Sequence, residues 1–274
     1  MRPATGLISF VGAGPGAADL ITLRGVRRLA TADVVVWASS LVPYAVLEHC
    51  GDGVDLHDSA GMTLEDVFAV YEAYPDAAIV RLHSGDVSLY SALTEQIAWC
   101  AAHERAFEIV PGVGSLAAAA ASAGVELTVP GVAQSAVLTR LGGGRTSASM
   151  PAGQSVADFA RHGTTMAIYL SSARPAALRD ELLAGYSPQT PAIIVAKASW
   201  PDETVITTTV DGLVDAFAAA GVRTAALVLV GPALSGIGAR SRLYDPSYSH
   251  GCRRRSVPGT TEGRPIPTSK RRRP

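Results

Sequence analysis

The chain has 274 residues, of which 48% are hydrophobic and 17% are charged, which excludes an intrinsically disordered protein. Its three cysteines are far apart and odd in number, which excludes a disulfide framework. The sequence has no signal-like N-terminus and no apolar run of membrane-spanning length, so we expect a cytoplasmic protein with no membrane partner.

The net charge of −1 conceals a separation of charge along the chain. Residues 253–274 hold eight Lys/Arg and one Asp/Glu, a net charge of +7, and the remaining residues hold 15 basic and 23 acidic groups, a net charge of −8. An acidic body disfavours nucleic acid as a partner. The basic end lacks a periodic apolar face, which predicts a disordered basic tail over residues 249–274. Such a tail could touch RNA or a membrane surface, but a solvated extension is the simpler interpretation.

A glycine-rich loop follows the first apolar stretch of the chain. Residues 7–11 predict a buried strand, and Gly12, Gly14, Pro15 and Gly16 follow it, before an amphipathic helix that we expect to begin near Leu20. A loop of this kind at the carboxyl end of a strand is where open α/β sheets bind ligands.

The same loop also fits a dinucleotide-binding pattern. Gly12, Gly14 and Ala17 have the spacing of that fingerprint, and Asp33 follows about 20 residues later. However, Pro15 removes a backbone donor, and the helix begins too late for its free N–H groups to meet a pyrophosphate. A nucleotide-binding oxidoreductase therefore stays as the alternative function.

The first half of the chain alternates strands and helices, which indicates an α/β fold with a parallel sheet. Further strands are predicted over residues 33–37, 54–57, 77–82 and 107–110. A helix is predicted to begin at Thr63, and another to cover residues 93–103. Pro111 and Gly112 interrupt this pattern and predict a hinge, so we expect domains over residues 1–112 and 113–248.

The second half predicts a different sheet. Strands are expected near residues 135–138, 165–169, 192–196, 205–209 and 225–230, with helices near residues 117–121, 156–161, 174–184 and 210–220. Residues 197–204 are too few for a parallel crossover, so the strands on either side of them should pair antiparallel within a mixed sheet. The glycine-, arginine- and serine-rich residues 141–153 predict a mobile loop.

The sequence shows no Ser/His/Asp triad, no paired-carboxylate pattern and no metal-ligand spacing, so we expect no metal cofactor. A hydrolase would ordinarily carry one of these signatures. The loops at residues 12–19, 37–43 and 83–90 follow predicted strands of one parallel sheet. Because such loops lie at the same sheet edge, we expect them to converge on one crevice.

Several motifs, in this order, resemble the tetrapyrrole (corrin/porphyrin) methylase family. They are the glycine loop with Leu20-Ile21-Thr22, Ser84-Gly85-Asp86-Val87-Ser88-Leu89-Tyr90, Val110-Pro111-Gly112-Val113-Gly114-Ser115 and Lys197-Ala198-Ser199-Trp200-Pro201-Asp202-Glu203. The resemblance extends from about residue 6 to about residue 250. Similarity to the branch that methylates corrin intermediates is found at residues 37–42, at Thr139-Arg140 and at residues 241–246.

This resemblance implies a two-domain tetrapyrrole-methylase-like fold, with a parallel-sheet N-terminal domain, a mixed-sheet C-terminal domain and the active cleft between them. It also implies S-adenosylmethionine as methyl donor, a tetrapyrrole small-molecule substrate and a homodimer. Methyl transfer needs donor and acceptor held in line, so positioning can supply much of the acceleration. A non-catalytic tetrapyrrole carrier, and a methylase of ribosomal RNA or protein, stay open as alternatives.

The resemblance assigns residues to the methyl donor. The expected contacts are Gly14, Pro15, Gly16, Gly85, Asp86, Ser88, Gly114, Ser115, Leu170 and Ala198. For Asp86, a structural role as a turn-capping carboxylate is the open alternative.

An anionic, carboxylate-rich tetrapyrrole needs local cations on this acidic body. Arg140, Arg145 and Lys197 lie in predicted loops at the cleft and are candidate substrate-binding residues. Tyr90 and Trp200 could flank the flat macrocycle, although apolar packing is the default role of an aromatic residue.

The sequence does not identify a catalytic base. Relatives that methylate earlier intermediates carry an Asp-Arg pair after the second strand, where this chain has Ala38-Ser39-Ser40. This departure disfavours that branch. Ser39, Ser40 and His83 are the candidates that remain, unless proton loss needs only water.

Overall fold

The computed structural model describes residues 6–143, 150–245 and 248–249. The candidate substrate-binding residue Arg145 and the basic residues from 250 onward lie outside the described residues. No helix in the described ranges is both long enough and apolar enough to cross a lipid bilayer.

The first half forms a five-stranded sheet in which every strand pair is parallel. Its strands are β1 (Ile8–Gly12), β2 (Val34–Trp37), β3 (Asp55–Asp58), β4 (Ile79–His83) and β5 (Phe107–Val110). Their order across the sheet is β3-β2-β4-β1-β5. The all-parallel sheet predicted from the alternating pattern is confirmed, and β1, β2 and β4 are apolar and buried along most of their length because both sheet faces are covered.

Helices cover both faces of this sheet. They are α1 (Leu23–Leu29), α2 (Leu64–Ala73) and α3 (Leu93–Ala102). One apolar core lies beneath α1 and the 3₁₀ segment Tyr44–His49, and the other lies beneath α2 and α3. The predicted start at Thr63 is confirmed, because Thr63 caps α2 in a reciprocal capping box with Asp66.

The first helix begins later than the sequence predicts. Residues Ala18–Leu20 form a short 3₁₀ turn, and α1 begins only after Thr22, whose hydroxyl accepts a hydrogen bond from the backbone N–H of Gly25 at 3.1 Å. Asp33 precedes β2 at the opposite sheet edge, where its carboxylate accepts a hydrogen bond from the Ala78 N–H. A ribose-binding carboxylate would need to lie at the glycine-loop edge, so this geometry opposes the dinucleotide interpretation.

The second half forms a separate five-stranded mixed sheet with the order β6-β7-β10-β8-β9. Its strands are β6 (Ala136–Arg140), β7 (Thr165–Tyr169), β8 (Pro191–Ala196), β9 (Thr204–Thr209) and β10 (Ala226–Val230). Only β6 and β7 pair in parallel, and β8 and β9 pair antiparallel as the short connection predicts. The two sheets confirm the predicted α/β fold class.

The helices of the second half are α4 (Ser115–Ala123), α5 (Val156–Ala160), α6 (Pro175–Leu182) and α7 (Leu213–Ala220). The small side chains of α4 pack on one face of the mixed sheet, and α5, α6 and α7 enclose a second core on the other face. The predicted start of α7 at Val210 is wrong by three residues. The N–H groups of Val210 and Asp211 instead donate to the carbonyl oxygens of Thr190 and Pro188, just before β8.

Candidate functional site

Two loops at the carboxyl edge of the parallel sheet are joined backbone to backbone. Gly14 and Gly85 exchange two hydrogen bonds, from Gly14 N–H to Gly85 C=O at 3.1 Å and from Gly85 N–H to Gly14 C=O at 2.7 Å. Both glycines have positive φ values, +85° and +67°, which L-residues with side chains seldom adopt. The glycines therefore permit this pairing, and they leave a floor made of backbone.

A third loop, which follows β5, completes the floor. A Cβ atom placed on Gly112 would lie 2.2 Å from the Gly85 carbonyl oxygen and 2.7 Å from the Gly12 Cα atom. Only glycine fits at this contact. The sequence correctly predicts that the loops after β1 and β4 converge. The third loop at this place, however, follows β5 and not β2. The loop after β2 contacts the end of β3, where the Ser39 N–H donates to the Asp58 carboxylate at 3.0 Å.

Asp86 ties the second of these loops to the third. One carboxylate oxygen accepts from the Gly112 N–H at 2.8 Å, and the other accepts from the backbone N–H and the hydroxyl of Ser88. Partial burial raises the pKa of Asp86, but hydrogen bonds from Ser88 and Gly112 outweigh it and hold the pKa below its usual value. The turn-capping role is thus present in the structure. Ser88 itself is exposed.

The second sheet presents three strand ends to the same region. Because β8 and β7 are both antiparallel to β10, they run in the same direction, and β6 runs with β7. Arg140, Leu170 and Ala198 therefore lie at one edge of the mixed sheet. Arg140 is the last residue of β6 rather than part of a loop, which corrects the sequence prediction. It lies opposite Tyr169 in the strand register.

Two tyrosines connect the halves of the molecule. Tyr90, from the loop after β4, and Tyr169, at the end of β7, have ring centroids 5.2 Å apart. Burial raises the pKa of Tyr169, and hydrogen bonds with the Ser115 side chain and the Leu116 backbone offset part of this rise. Burial also raises the pKa of Tyr90, and the nearby charge of Arg140 opposes that rise. Tyr90, Tyr169, Arg140 and Leu170, whose side chain is 61% exposed, are called the tyrosine wall below.

Another contact between the halves involves residues 197–203, which connect β8 and β9. The pyrrole edge of Trp200 meets Gly16, and the indole N–H donates to the Pro15 carbonyl oxygen at 3.0 Å. Trp200 thus packs on the glycine loop. The ammonium of Lys197 forms an ion pair with Asp202, so its charge is already matched by a carboxylate, which weakens its assignment to the substrate.

His83 is not suited to act as a base. Its side chain is buried at the end of β4 beside Phe10, and burial together with the charge of Arg81 lowers the pKa of His83 to about 3. Its Nε2 atom has no hydrogen-bond partner among the described residues. Such an imidazole stays neutral near pH 7 and is a weak proton acceptor.

Ser39 and Ser40 are exposed at the end of β2. The Ser39 side chain is hydrogen-bonded to Asp58, and this bond is the main reason that the pKa of the Asp58 carboxyl group lies below its usual value. The lowered pKa makes the Asp58 carboxylate a poor proton acceptor, which disfavours Ser39 as part of a catalytic pair. Three residues of this region carry no local sequence signal as site residues: Tyr169, Ser199 and Glu203. Tyr169 and Ser199 have partners on the other half of the chain, and Glu203 accepts a hydrogen bond from Ser122 of α4.

Two cavities lie elsewhere in the second half. One of about 340 Å³ is lined by residues of α6 and α7, including Pro175 and Phe217, and one of about 430 Å³ lies between residues 124–130 and 233–241. Neither is lined by the glycine loops or the tyrosine wall. We place the candidate site at the facing sheet edges, because the glycine contacts and strand ends converge there.

Comparisons with known proteins identify the family of the chain. The family model of the tetrapyrrole (corrin/porphyrin) methylases matches residues 7–214. A precorrin-4 C(11)-methyltransferase from Rhodococcus erythropolis is 44% identical over 84% of this chain and 93% of its own length. A cobalt-precorrin-4 C(11)-methyltransferase from Priestia megaterium is 39% identical over 89% and 96%.

Solved structures of methyltransferases are similar to this chain in fold as well as in sequence. The X-ray structure of a cobalt precorrin-4 methyltransferase superposes with a TM-score of 0.78 at 40% identity, and it covers 83% of this chain and 95% of its own. A uroporphyrin-III C-methyltransferase from Thermus thermophilus, in complex with S-adenosylhomocysteine, has a TM-score of 0.68 at 28% identity over 85% and 100% of the two chains. The chain belongs to the tetrapyrrole (corrin/porphyrin) methylase family.

Proposed function

We propose that this protein is an S-adenosylmethionine-dependent methyltransferase that methylates precorrin-4 at C-11 to give precorrin-5 in cobalamin biosynthesis. The observation that carries the proposal is the facing pair of sheet edges: a glycine backbone floor on one side and Arg140, Tyr169, Leu170 and Ala198 on the other. Relatives that are 41% to 44% identical over 84% to 89% of the chain bear the name of this activity.

The glycine floor fits an adenosyl methyl donor. Gly12, Gly85 and Gly112 let three loops pack backbone against backbone, so this floor consists of main chain rather than side chains. We propose that the donor is held by Gly14, Pro15, Gly16, Gly85, Asp86, Ser88, Gly114, Ser115, Leu170 and Ala198. When bound, it supplies an activated methyl group on a sulfonium centre. The carboxylate of Asp86, fixed by Gly112 and Ser88, sets the distance between two of these loops.

The tyrosine wall would hold the acceptor. Arg140 offers a guanidinium to a substrate carboxylate, and the exposed Leu170 and Tyr90 offer apolar surface to a flat macrocycle. These groups bind and orient the substrate, and their apolar area excludes water from the transfer. Burial disfavours His83 as a base, so we assign the proton lost from the macrocycle to solvent. Positioning then carries the reaction.

A labelling experiment tests the proposal. The purified protein is incubated with S-adenosylmethionine that carries a ¹³C-methyl group and with precorrin-4, and NMR and mass spectrometry locate the label. We expect one methyl group at C-11. Absence of transfer, together with no heat of binding for S-adenosylhomocysteine in calorimetry, would reject the assignment.

A parallel reaction with cobalt-precorrin-4 decides between two closely related substrates. The alternative rests on the relative from Priestia megaterium and on the solved cobalt precorrin-4 enzyme, which are 39% and 40% identical to this chain. Faster turnover of the cobalt-containing substrate would reassign the activity to that intermediate.

The location, the oligomeric state, the domain bounds and the role of the tail stay predictions. We propose a cytoplasmic homodimer, with domains over residues 1–112 and 113–248 and with residues 249–274 as a tail outside the catalytic unit. Sedimentation at micromolar concentration tests the dimer, and removal of residues 250–274 without loss of transfer tests the tail. Thermal protection by NAD(P)H would instead support the oxidoreductase alternative, which the position of Asp33 opposes.

A further inference from the structure

Residues 197–203, which we call the clasp loop, reach from the second half to the backbone of the glycine loop. The Ser199 hydroxyl oxygen accepts a hydrogen bond from the Ala17 N–H at 3.0 Å, and the Trp200 indole N–H donates to the Pro15 carbonyl at 3.0 Å. Pro15 and Ala17 flank Gly16. The two side chains therefore satisfy the backbone groups on both sides of one glycine, across more than 180 residues of sequence.

Gly16 itself is matched to the clasp loop in shape. A Cβ atom on Gly16 would lie 2.2 Å from Cδ1 of Trp200 and 3.0 Å from the Ala198 carbonyl oxygen. The Trp200 ring edge thus occupies the space that any side chain at this position would need. Trp200 and Ala198 approach the glycine loop together, so the loop's position is defined against the strand end that bears Ala198.

The clasp loop is itself held in one conformation. One oxygen of the Glu203 carboxylate accepts from the Ser199 N–H at 2.5 Å and from the Ser122 hydroxyl of α4 at 2.7 Å. The backbone N–H of Trp200 donates to the Lys197 carbonyl oxygen at 2.9 Å. The Lys197 ammonium lies 5.9 Å from the centre of the Trp200 ring.

The backbone of the clasp loop is also strained. Lys197 and Ser199 have φ values of +51° and +66°, and neither is a glycine. Left-handed conformations of such residues persist only where the surrounding contacts impose them, and they are concentrated at functional sites. Here the contacts with Glu203 and with the glycine loop impose this geometry.

We infer that Ser199 and Trp200 are positioning residues that fix the Pro15–Ala17 backbone against Ala198 and so shape the methyl-donor site from both sides. The inference rests on the proposed function, because it takes the glycine loop and Ala198 as the donor's two boundaries. Without the two bonds, the loop and the strand end could move independently. Donor affinity would fall, whereas the tyrosine wall, which the clasp loop does not hold, would keep its affinity for the tetrapyrrole.

Three variants separate the hydrogen bonds from other effects. Trp200→Phe keeps an aromatic ring and removes the indole N–H. Ser199→Ala removes the hydroxyl acceptor, and Ser199→Gly removes it while relieving the positive φ. Each should weaken S-adenosylhomocysteine binding and raise KM for S-adenosylmethionine by about three- to tenfold, the effect of one lost hydrogen bond. KM for the tetrapyrrole should stay unchanged.

Trp99→Phe is the matched control. Trp99 lies on α3 and stacks on Phe68 and His103, away from the glycine loop. Addition of S-adenosylhomocysteine should change tryptophan fluorescence in the wild type and in Trp99→Phe, and this change should be lost in Trp200→Phe. A role in folding alone would lower the melting temperature and leave the KM for S-adenosylmethionine of the folded enzyme unaltered.

The outcomes are distinguishable. If the wild type binds S-adenosylhomocysteine and the two Ser199 variants bind it equally well, the positioning role is wrong and the proposed function stands. If the wild type does not bind it, the proposed function fails and the positioning role fails with it. Should Trp200→Phe not fold, the Ser199 pair alone decides.

Discussion

The two sheet edges that face each other are built in different ways. At the edge of the parallel sheet, Gly14, Gly85 and Gly112 bring loops into backbone contact, and side chains are excluded. At the edge of the mixed sheet, the strand ends present side chains, chiefly those of Arg140 and Tyr169. One edge thus supplies shape, and the other supplies chemical groups. Substitutions at the two edges should therefore have different consequences.

The largest expected effect comes from adding bulk to the backbone-built edge. Gly112→Ala places a Cβ 2.2 Å from the Gly85 carbonyl oxygen, so the loops must separate. We expect the free energy of unfolding to fall by about 3 kcal/mol, as for overpacked cores, and S-adenosylhomocysteine affinity to fall with it. Chemical denaturation and calorimetry measure the two effects.

Gly61→Ala is the control for this substitution, because nothing lies within 4 Å of a Cβ at that position. Its stability should change by less than about 0.5 kcal/mol. If Gly112→Ala were equally mild, the parallel-sheet edge would be more adaptable than its close contacts indicate, and the contrast between the edges would be lost.

The next effect concerns pH, and it arises from the buried His83 beside the glycine loops. Burial and the Arg81 charge lower the pKa of His83 to about 3, whereas in the unfolded chain it titrates near its ordinary value of about 6.5. As pH falls below that value, the unfolded state binds a proton that the folded state does not, so stability falls. The resulting loss between pH 7 and pH 5 is about 2 kcal/mol.

The variant His83→Gln should lack this part of the pH dependence. Urea denaturation at both pH values compares it with the wild type and with His162→Gln, which changes an exposed histidine. We expect the His162 variant to retain the wild-type slope. If His83→Gln had the same slope as the wild type, the His83 imidazole of the wild type would have to take up a proton in the folded protein.

Sequence reasoning anticipates the backbone-built edge better than the edge built from side chains. Continuous apolar runs identify the buried strands, and glycines followed by Pro15 identify the loop, because both signals are local. The roles of Trp200 and Lys197 are not marked by local signals of this kind. Trp200 packs on Gly16, which depends on how the two halves approach each other. Lys197 pairs with Asp202, which depends on the conformation of the loop that carries both residues. Local spacing contains no information about either.

The edge built from side chains should respond in substrate binding and not in stability. Arg140→Gln removes the guanidinium at the end of β6 while it keeps a side chain of similar length. We expect KM for the tetrapyrrole to rise by about tenfold, consistent with one charge-assisted hydrogen bond, and S-adenosylhomocysteine affinity to stay the same. Arg161→Gln, at an exposed position after α5, is the control. Equal loss of donor and acceptor binding would mean that Arg140 does not act on the substrate alone.

The smallest effect tests whether the two halves unfold together. A reciprocal capping box is present in each half: Thr63 with Asp66 on α2 and Ser155 with Asp158 on α5. Thr63→Ala and Ser155→Ala should each lower the free energy of unfolding by about 1 kcal/mol. The Ser199 hydroxyl accepts a hydrogen bond from the Ala17 N–H, and the Trp200 indole donates one to the Pro15 carbonyl. Because these bonds join the halves, we expect one calorimetric transition that both substitutions shift downward. Two transitions, with each substitution moving only one of them, would mean that these contacts are too weak to couple the sheets. Where one transition is found, combining either substitution with Ser199→Ala measures the coupling, because loss of this link should convert the single transition into two.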